Sequence, residues 1–249
     1  MTDKPLTFWE HVDELRALIV RIILCIVILS VVFFCFKEQL FDIVLAPMHA
    51  NFILYQLIGA TSVEPQLINT ELTGQFIAHM QVAFSAAIVV GAPYILWQVF
   101  AYLSPALYLN ERKLLRIVML AGTMLFYVGA MLSYVLIFPL SFRFLITYQV
   151  SGEVSNMIQL SSYLDTMLLL CLLMGILFEL PLVSVLLAKF GLITSHTMAK
   201  YRRHAMLAII IIAAIITPTT DIFTLTVVAL PIYLLYECSV ICVRVMMHR

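Results

Sequence analysis

The group most in need of a chemical explanation is Glu179, a single acid inside an apolar run at 177–181. An acid at the centre of a membrane helix costs roughly 2.5–3.5 kcal/mol on insertion scales, and such residues usually face a cavity or a polar partner. Pro181 frees one backbone carbonyl nearby. Glu179 is therefore either a functional acid or a protonated side chain bonded to a neighbouring carbonyl. Glu237 is a second acid of this kind, nearer the end of its apolar run.

Two further acidic features lie outside the apolar runs. Glu10, Asp13 and Glu14 are spaced to share one helix face. By itself, that spacing is typical of a solvated helix at a membrane surface. Glu111 is the only acid of the segment 104–113 and directly precedes two basic residues. An exposed ion pair within that segment, worth under about 1 kcal/mol, would explain Glu111 without any binding role.

Other reactive groups show no site pattern. The five cysteines all lie in apolar runs without a CxxC pair, and the six histidines include no HExxH motif. An intramembrane protease would need a nucleophile and a base, for which His79 and Ser85 are the nearest candidates, with no GxSxG motif to support them. The sequence also has no glycine-rich phosphate loop. It therefore predicts no metal, no cofactor and no catalytic residues.

The composition shows what surrounds these acids. Of 249 residues, 63% are hydrophobic and 11% are charged, with a mean hydropathy of +1.07. Soluble domains have about 45–50% apolar and about 25% charged residues. So few charges could not cover a surface in water, which excludes a soluble enzyme, a disordered chain and a nucleic-acid binder with a basic face. The sequence predicts an all-α integral membrane protein.

Six apolar segments are predicted to cross the membrane as one domain, 1–249. They cover about 17–36, 75–100, 114–138, 163–189, 205–217 and 222–243. The fifth segment spans only about 20 Å as a helix, against a hydrocarbon core of about 30 Å. The segment 37–74 is polar enough to fold over the outer face as short helices. Pro93, Pro181 and Pro231 fall inside spans and favour curved helices that form a concave wall.

The basic residues predict the orientation. With a cytoplasmic N-terminus, twelve of the 14 Lys and Arg residues lie on the cytoplasmic side, and only Lys37 and Arg143 lie on the far side. This is a strong positive-inside bias. Both termini are predicted to be cytoplasmic.

Short motifs along the whole chain resemble the TatC family, the core receptor subunits of the twin-arginine protein translocase. The matching residues are His11-x-x-Glu14-Leu15-Arg16, Leu45-Ala46-Pro47, Gly91-Ala92-Pro93-Tyr94, Trp97-Gln98-Val99-Phe100, Pro105-Ala106-Leu107-Tyr108 with Glu111-Arg112, Phe138-Pro139-Leu140, Phe178-Glu179-Leu180-Pro181, Ile216-Thr217-Pro218 with Asp221, and Leu230-Pro231 with Glu237. Two positions depart from the family pattern. The turn 217–221 is one residue longer, and Tyr102 stands where Phe is common.

The resemblance implies six spans with both ends in the cytoplasm, two short final helices and a concave, glove-like shape. It implies a receptor for signal peptides that carry a consecutive Arg-Arg pair. Such a receptor passes folded proteins across the bacterial inner membrane, driven by the proton gradient. The implied partners are single-span TatA- and TatB-type subunits and further copies of the chain itself within the complex.

The resemblance also implies roles for individual residues. Glu14 and Glu111 would bind the arginines of the signal peptide, with Glu10 and Asp13 adding to the negative field. Glu179 and Glu237 would couple to polar groups of partners within the membrane. Structural or assembly roles would fall to Pro47, Tyr102, Pro105, Pro181 and Asp221.

A proton-coupled transporter of small solutes is the main alternative, with Glu179 and Glu237 as a proton relay. Against it, the sequence has no inverted repeat and no matched pair of broken helices.

Overall fold

A computed structural model describes residues 8–49, 51–59, 66–103, 112–148, 157–217 and 221–247. The helices are α1 (Phe8–Phe34), α2 (Lys37–Leu45), α3 (Ile53–Ile58), α4 (Gly74–Leu103), α5 (Arg112–Leu132), α6 (Phe138–Thr147), α7 (Leu160–Leu177), α8 (Leu180–Lys189), α9 (Ser195–Lys200), α10 (Arg202–Ile216) and α11 (Ile222–Met247). Two short strands, β1 (Leu67–Ile68) and β2 (Ile158–Gln159), pair in parallel. The all-α prediction is confirmed.

Six helical stretches are long and apolar enough to cross a membrane, so the chain is a multi-pass membrane protein. They are Val12–Phe34, Lys37–Leu57, Gly74–Tyr102, Met119–Thr147, Leu160–Lys189 and Ile222–Met246. Five of them coincide with predicted spans. The exception, Lys37–Leu57, contains separate helices of 9, 3 and 6 residues. Each is shorter than the roughly 20 residues that a crossing needs, which agrees with the predicted short helices of the segment 37–74.

The last two helices differ from each other in length. α10 has 15 residues and reaches about 22 Å, as the predicted short fifth span requires. α11 has 26 residues and continues beyond the predicted end at residue 243. The expectation of two short final helices therefore holds for α10 alone. Arg244 does not end the helix, because its long side chain can reach out to the membrane surface. The apolar residues after Arg244 then continue α11 to Met247.

α1 packs antiparallel on α4. The rings of Phe34, at the end of α1, and His79, near the start of α4, stack with centroids 4.0 Å apart. Farther along, a methyl group added at Gly91 would lie 3.2 Å from Leu29 Cδ1, so the Leu29 side chain packs on α4 at this glycine. The start of α1 therefore lies toward the end of α4. We call this the basic end of the bundle, and we call the opposite end, which carries α2 and α3, the cap end.

The centre of the bundle depends on glycines that each accommodate a ring of the facing helix. A methyl group at Gly129 of α5 would lie 2.6 Å from the ring of Phe178, and one at Gly175 of α7 would lie 2.7 Å from the ring of Phe126. Both rings are buried. Phe126 of α5 thus packs against a glycine of α7, and Phe178, directly after α7, packs against a glycine of α5, which fixes the register of the two helices.

The third membrane helix continues past its predicted end at residue 138. One wide turn, Ser133–Ile137, links α5 to α6, and the amide of Phe138 donates to the carbonyl of Ser133, five residues earlier. Pro139 has no amide to donate and would clash with the carbonyl four residues before it in a regular helix. In the wide turn the amides bond to carbonyls five residues earlier instead of four, which makes room for Pro139. The helix then continues to Thr147.

The predicted fourth span consists of two helices, α7 and α8, separated at Phe178 and Glu179. Pro181 lies in the first turn of α8, where a missing amide is tolerated. Phe178 and Glu179 keep right-handed helical dihedrals, so the interruption is one modified turn.

The cap end is tied to the bundle by tyrosine hydroxyls. Tyr134 donates to the carbonyl of Ile43 at 2.7 Å, and Tyr163 donates to the carbonyl of Val44 at 2.9 Å. Tyr55 donates to the carbonyl of Pro139 at 3.4 Å in the opposite direction. These bonds hold α2 and α3 against the ends of the membrane helices.

Candidate functional site

Glu179 is buried between three helices. Its side chain is 7% exposed. A methyl group added at Gly122 of α5 would lie 3.0 Å from Glu179 Oε2 and 3.1 Å from the ring of Phe100 on α4. The acid is thus enclosed by an aromatic ring on one side and by bare helix backbone on another.

Neither oxygen of the Glu179 carboxyl has a hydrogen-bond partner among the described residues. The sequence left open a protonated acid bonded to a carbonyl freed by Pro181, and that bond does not form within the described part of the chain. Glu179 lies ten residues before Lys189, or about 15 Å along the helix, which is half of a hydrocarbon core. A buried polar group without a partner is costly, so Glu179 stays a candidate functional acid.

Glu237 of α11 has intramolecular partners. Arg202 Nη2 lies 2.8 Å from Glu237 Oε2, and the hydroxyl of Tyr233 lies 3.2 Å from Glu237 Oε1. Nearby, Tyr236 donates to the carbonyl of Met198 at 2.7 Å. These contacts fasten α9 and α10 to α11 at the basic end. Coupling of Glu237 to a partner subunit remains a prediction.

The acids of α1 lie at the basic end. Asp13 and Glu14 are exposed, and the side chain of Glu10 lies outside the described residues. Phe34 of α1 and His79 of α4 lie at the same depth, because their rings stack. Glu14 lies 20 residues before Phe34, about 30 Å along α1. Tyr102 lies 23 residues after His79, about 35 Å along α4 in the same direction. Glu14 and Tyr102 therefore lie at similar depth.

Glu111 and Pro105 lie outside the described residues. The described chain resumes at Arg112, the first residue of α5, and α5 packs antiparallel on α4. The described end of α4 and the start of α5 therefore lie at the basic end, where Glu14 also lies. Tyr102 is half-buried near the end of α4.

Asp221 and Pro47 lie at the cap end, and each is part of the local backbone structure there. Asp221 directly precedes α11, and its Oδ2 accepts from the amide of Thr224 at 2.8 Å, while the Thr224 hydroxyl bonds Oδ1. This is the bonding pattern of a helix N-cap. It establishes the position of Asp221, which the longer turn 217–221 had left uncertain. Pro47 is fully buried in the 3₁₀ turn Ala46–Met48 between α2 and α3.

His79 and Ser85 do not form a nucleophile–base pair. Six residues of helix place them about 120° apart around the axis and about 9 Å apart along it, and His79 instead stacks on Phe34. Within the described residues, no three His, Cys, Asp or Glu side chains are grouped to hold a metal ion.

Sequence reasoning missed the immediate neighbours of both intramembrane acids. Gly122 gave a signal, because a glycine within an apolar helical run often marks a close approach. Which group approaches it depends on helix packing. Tyr233 lies one helical turn before Glu237, so the sequence could have suggested that contact. Arg202 is 35 residues away from Glu237, and no sequence pattern connects the two.

Comparisons with known proteins agree along almost the whole chain. The family model described as "TatC: Sec-independent protein translocase protein (TatC)" matches residues 10–231. The "Sec-independent protein translocase protein TatC" of Koribacter versatilis is 34% identical, over 95% of this chain and 84% of that relative. The protein of the same description from Escherichia coli is 31% identical, over 92% of this chain and 85% of the relative.

Solved structures give the same answer. "Crystal Structure of Twin Arginine Translocase Receptor- TatC" superposes with a TM-score of 0.80 at 29% identity, covering 95% of this chain and 99% of that one. A second structure of the same receptor, in the detergent DDM, superposes with a TM-score of 0.81 at 28% identity, over 94% and 99% of the two chains. The transporter alternative finds no support in these matches. The chain belongs to the TatC family of Sec-independent protein translocase proteins.

Proposed function

We propose that this protein is the signal-peptide receptor and scaffold of a twin-arginine translocase, which exports folded proteins using the proton gradient. The observation that carries the proposal is the match, over 95% of the chain, to a solved twin-arginine translocase receptor. The protein acts by binding and conformational coupling, without bond chemistry of its own. The whole chain, 1–249, works as one six-span unit.

Recognition of the Arg-Arg pair takes place at the basic end through Glu14 and Glu111. A guanidinium presents a planar fork of donors that a carboxylate accepts with both oxygens, and this geometry distinguishes arginine from lysine at equal charge. Two adjacent arginines require two carboxylates. In support, Glu14 is exposed at the basic end, where the described part of α4 ends and α5 begins. Glu10 and Asp13 strengthen the negative field there.

Glu179 serves a later step, in which a polar group of a partner helix or of the inserted signal peptide meets its carboxyl. Its burial and its lack of a partner within the described chain support this assignment. A polar group in a membrane helix gains most from a partner that would otherwise stay unpaired in lipid.

The proposed setting is the bacterial inner membrane, with both termini and the basic end in the cytoplasm. The distribution of Lys and Arg supports this orientation. The complex contains single-span TatA- and TatB-type subunits and more than one copy of this chain.

The test uses the full-length protein in detergent and a fluorescent signal peptide, comparing an Arg-Arg with a Lys-Lys version. We expect the Arg-Arg peptide to bind more tightly. Glu111→Ala should weaken its binding about tenfold or more, because one charge-assisted contact contributes about 1.5–3 kcal/mol. Glu14→Ala should weaken it similarly.

Glu38→Ala is the matched control, since it removes an exposed acid at the cap end. Its binding should equal that of the native protein. Unchanged binding in Glu111→Ala would remove Glu111 from the site. Equal binding of both peptides by the native protein would contradict recognition by this chain alone.

A further inference from the structure

The chain passes from α9 into α10 through residues 200–204, which we call the α9–α10 junction. Its Lys and Arg residues, Lys200, Arg202 and Arg203, are all exposed. Arg202 lies 2.8 Å from Glu237, which is the only acid within α8, α9, α10 and α11. Lys200 and Arg203 have no ion-pair partner among the described residues. Two positive charges of the junction therefore remain available for an anion.

The junction is set back from the end of α11. The hydroxyl of Tyr236 donates to the carbonyl of Met198 at 2.7 Å, just before the junction, and Arg202 pairs with Glu237. Side chains lean toward the N-terminus of their helix, so those of Tyr236 and Glu237 lean toward the cap end. The junction therefore lies level with Glu237 or closer to the cap end. α11 continues for ten residues beyond Glu237, about 15 Å.

This setback places the two cations at the level of the lipids. The predicted sixth span ends at residue 243, six residues or about 9 Å beyond Glu237. α10 reaches only about 22 Å, and a short membrane helix is accommodated by flanking side chains that reach outward and by local thinning of the bilayer. Both responses bring lipid headgroups next to Lys200 and Arg203.

The surface around the cations is amphiphilic. The Lys200 ammonium lies 6.0 Å from the centroid of the exposed Tyr201 ring. Leu207 follows Arg203 by one helical turn on the same face of α10, toward the cap end, and it is exposed. A ligand at this surface thus meets positive charge and an aromatic ring at one level and apolar side chains one turn deeper.

These properties define the ligand. A phosphate diester accepts charge-assisted hydrogen bonds from ammonium and guanidinium groups. Two cations without an acid repel the ammonium group of a zwitterionic lipid, whereas a phosphatidylglycerol headgroup carries no positive charge. Clusters of basic residues beside membrane helices are a known way of binding anionic headgroups.

We propose that the α9–α10 junction binds an anionic phospholipid. Lys200 and Arg203 donate to its phosphate, and its acyl chains lie along Leu207. The site is separate from the acids assigned to signal-peptide recognition, and the proposal does not depend on that recognition.

The experiment reconstitutes the full chain in vesicles that contain equal amounts of phosphatidylglycerol and phosphatidylcholine. Trp9→Phe and Trp97→Phe remove the two native tryptophans, both of which are exposed. Met206→Trp then provides a single fluorescent reporter beside the junction, and Ile215→Trp provides a matched reporter at the other end of α10. Quenching is compared when either the phosphatidylglycerol or the phosphatidylcholine carries brominated acyl chains, which gives the lipid preference at each reporter.

At Met206→Trp we expect a preference for phosphatidylglycerol of about five- to twenty-five-fold, since each Lys or Arg near a membrane surface changes affinity for anionic lipid about fivefold. At Ile215→Trp we expect no preference. Lys200→Gln and Arg203→Gln should each lower the preference about fivefold. Arg16→Gln is the matched control, because it removes an exposed cation of α1 at the same end of the bundle, and it should leave the preference unchanged.

Three outcomes would overturn the proposal. Equal quenching by the two lipids at Met206→Trp, with the junction intact, would mean that an acid of the protein such as Glu111 neutralises the two cations. An equal fall in preference in Arg16→Gln and Arg203→Gln would mean that general surface charge attracts the lipid. Loss of the preference on addition of millimolar inorganic phosphate would make a soluble anion the ligand.

Discussion

Glu179 and Glu237 are both acids within apolar helices, yet their neighbours differ. Glu237 pairs with Arg202 at 2.8 Å and accepts from Tyr233 at 3.2 Å. Glu179 faces Gly122 and the ring of Phe100, and neither of its oxygens has a partner in the described chain. Glu237 lies near the basic end and is half-buried, whereas Glu179 is buried.

The difference separates an acid that holds the fold together from one that the fold does not use. Removing one partner of the pair at Glu237 breaks a link between α10 and α11. Removing the Glu179 carboxyl relieves a buried polar group that destabilises the isolated chain. Natural proteins retain such groups mainly where function requires them. The two acids should therefore respond to mutation in opposite ways.

The largest effect is expected from Glu179→Leu. The variant should unfold at higher temperature in detergent, because an unsatisfied buried polar group costs about 1–3 kcal/mol. Export of a twin-arginine precursor should fall about 5- to 150-fold, the range of a coupling free energy of 1–3 kcal/mol. Thermal unfolding and export into inverted membrane vesicles are the measurements.

Glu237→Leu is the matched control, and it should lower the unfolding temperature while export persists. The Glu179→Leu variant should still bind the Arg-Arg peptide, because Glu14 and Glu111 remain. Loss of initial peptide binding in Glu179→Leu, with normal association of the partner subunits, would contradict the division of roles.

A smaller effect is expected from Gly122→Ala. Its methyl group would lie 3.0 Å from Glu179 Oε2 and 3.1 Å from the Phe100 ring, closer than most contacts of this kind. The carboxyl must shift, so export should fall, though less than in Glu179→Leu. Adding Glu179→Asp, which is one methylene shorter, should restore part of the loss. Export by the single and double variants is the measurement.

Gly91→Ala serves as the control. Its methyl group would lie 3.2 Å from Leu29 Cδ1, the end of a flexible side chain that can move. Export should be unchanged, and the helix should gain up to about 1 kcal/mol in propensity. Equal loss of export in the two glycine variants would indicate a general packing effect.

The smallest effect is expected from Arg202→Ala. The ion pair that it removes is partly exposed, with 51% of the arginine side chain accessible, so the free energy of unfolding should fall by less than about 1 kcal/mol. The loss should shrink in high salt, which screens exposed pairs. Thermal unfolding at two salt concentrations measures it.

Tyr233→Phe is the companion variant, which removes only the hydroxyl bonded to Glu237. It should change stability less than Arg202→Ala does and should be insensitive to salt. A loss of export in either variant as large as that of Glu179→Leu would place Glu237, not Glu179, at the centre of the comparison.

Much of the membrane topology could be predicted from the sequence. The apolar runs located five long spans and the short α10, and the segment 37–74 formed the expected short helices. The end of the third helix was predicted wrongly at residue 138, because Pro139 is ordinarily a stop signal. The wide turn Ser133–Ile137 bypasses it, and such a turn has no simple sequence signal.

The candidate site divides in a similar way. Glu179 stood out in the sequence because a charge within an apolar run is costly wherever the helix packs. Gly122, Phe100 and Arg202 could not be assigned to the two acids, since each lies on another helix.

The sequence by itself determined which segments enter the membrane and which acids enter with them, because transfer into lipid depends on each segment's own composition. Only the tertiary structure decided which acid is paired and which is enclosed without a partner among the described residues. Those outcomes depend on contacts between helices far apart in the chain, such as Gly122 with Glu179 and Arg202 with Glu237. Composition carries no information about such contacts, because packing of side chains, not hydropathy, sets helix register inside a bilayer.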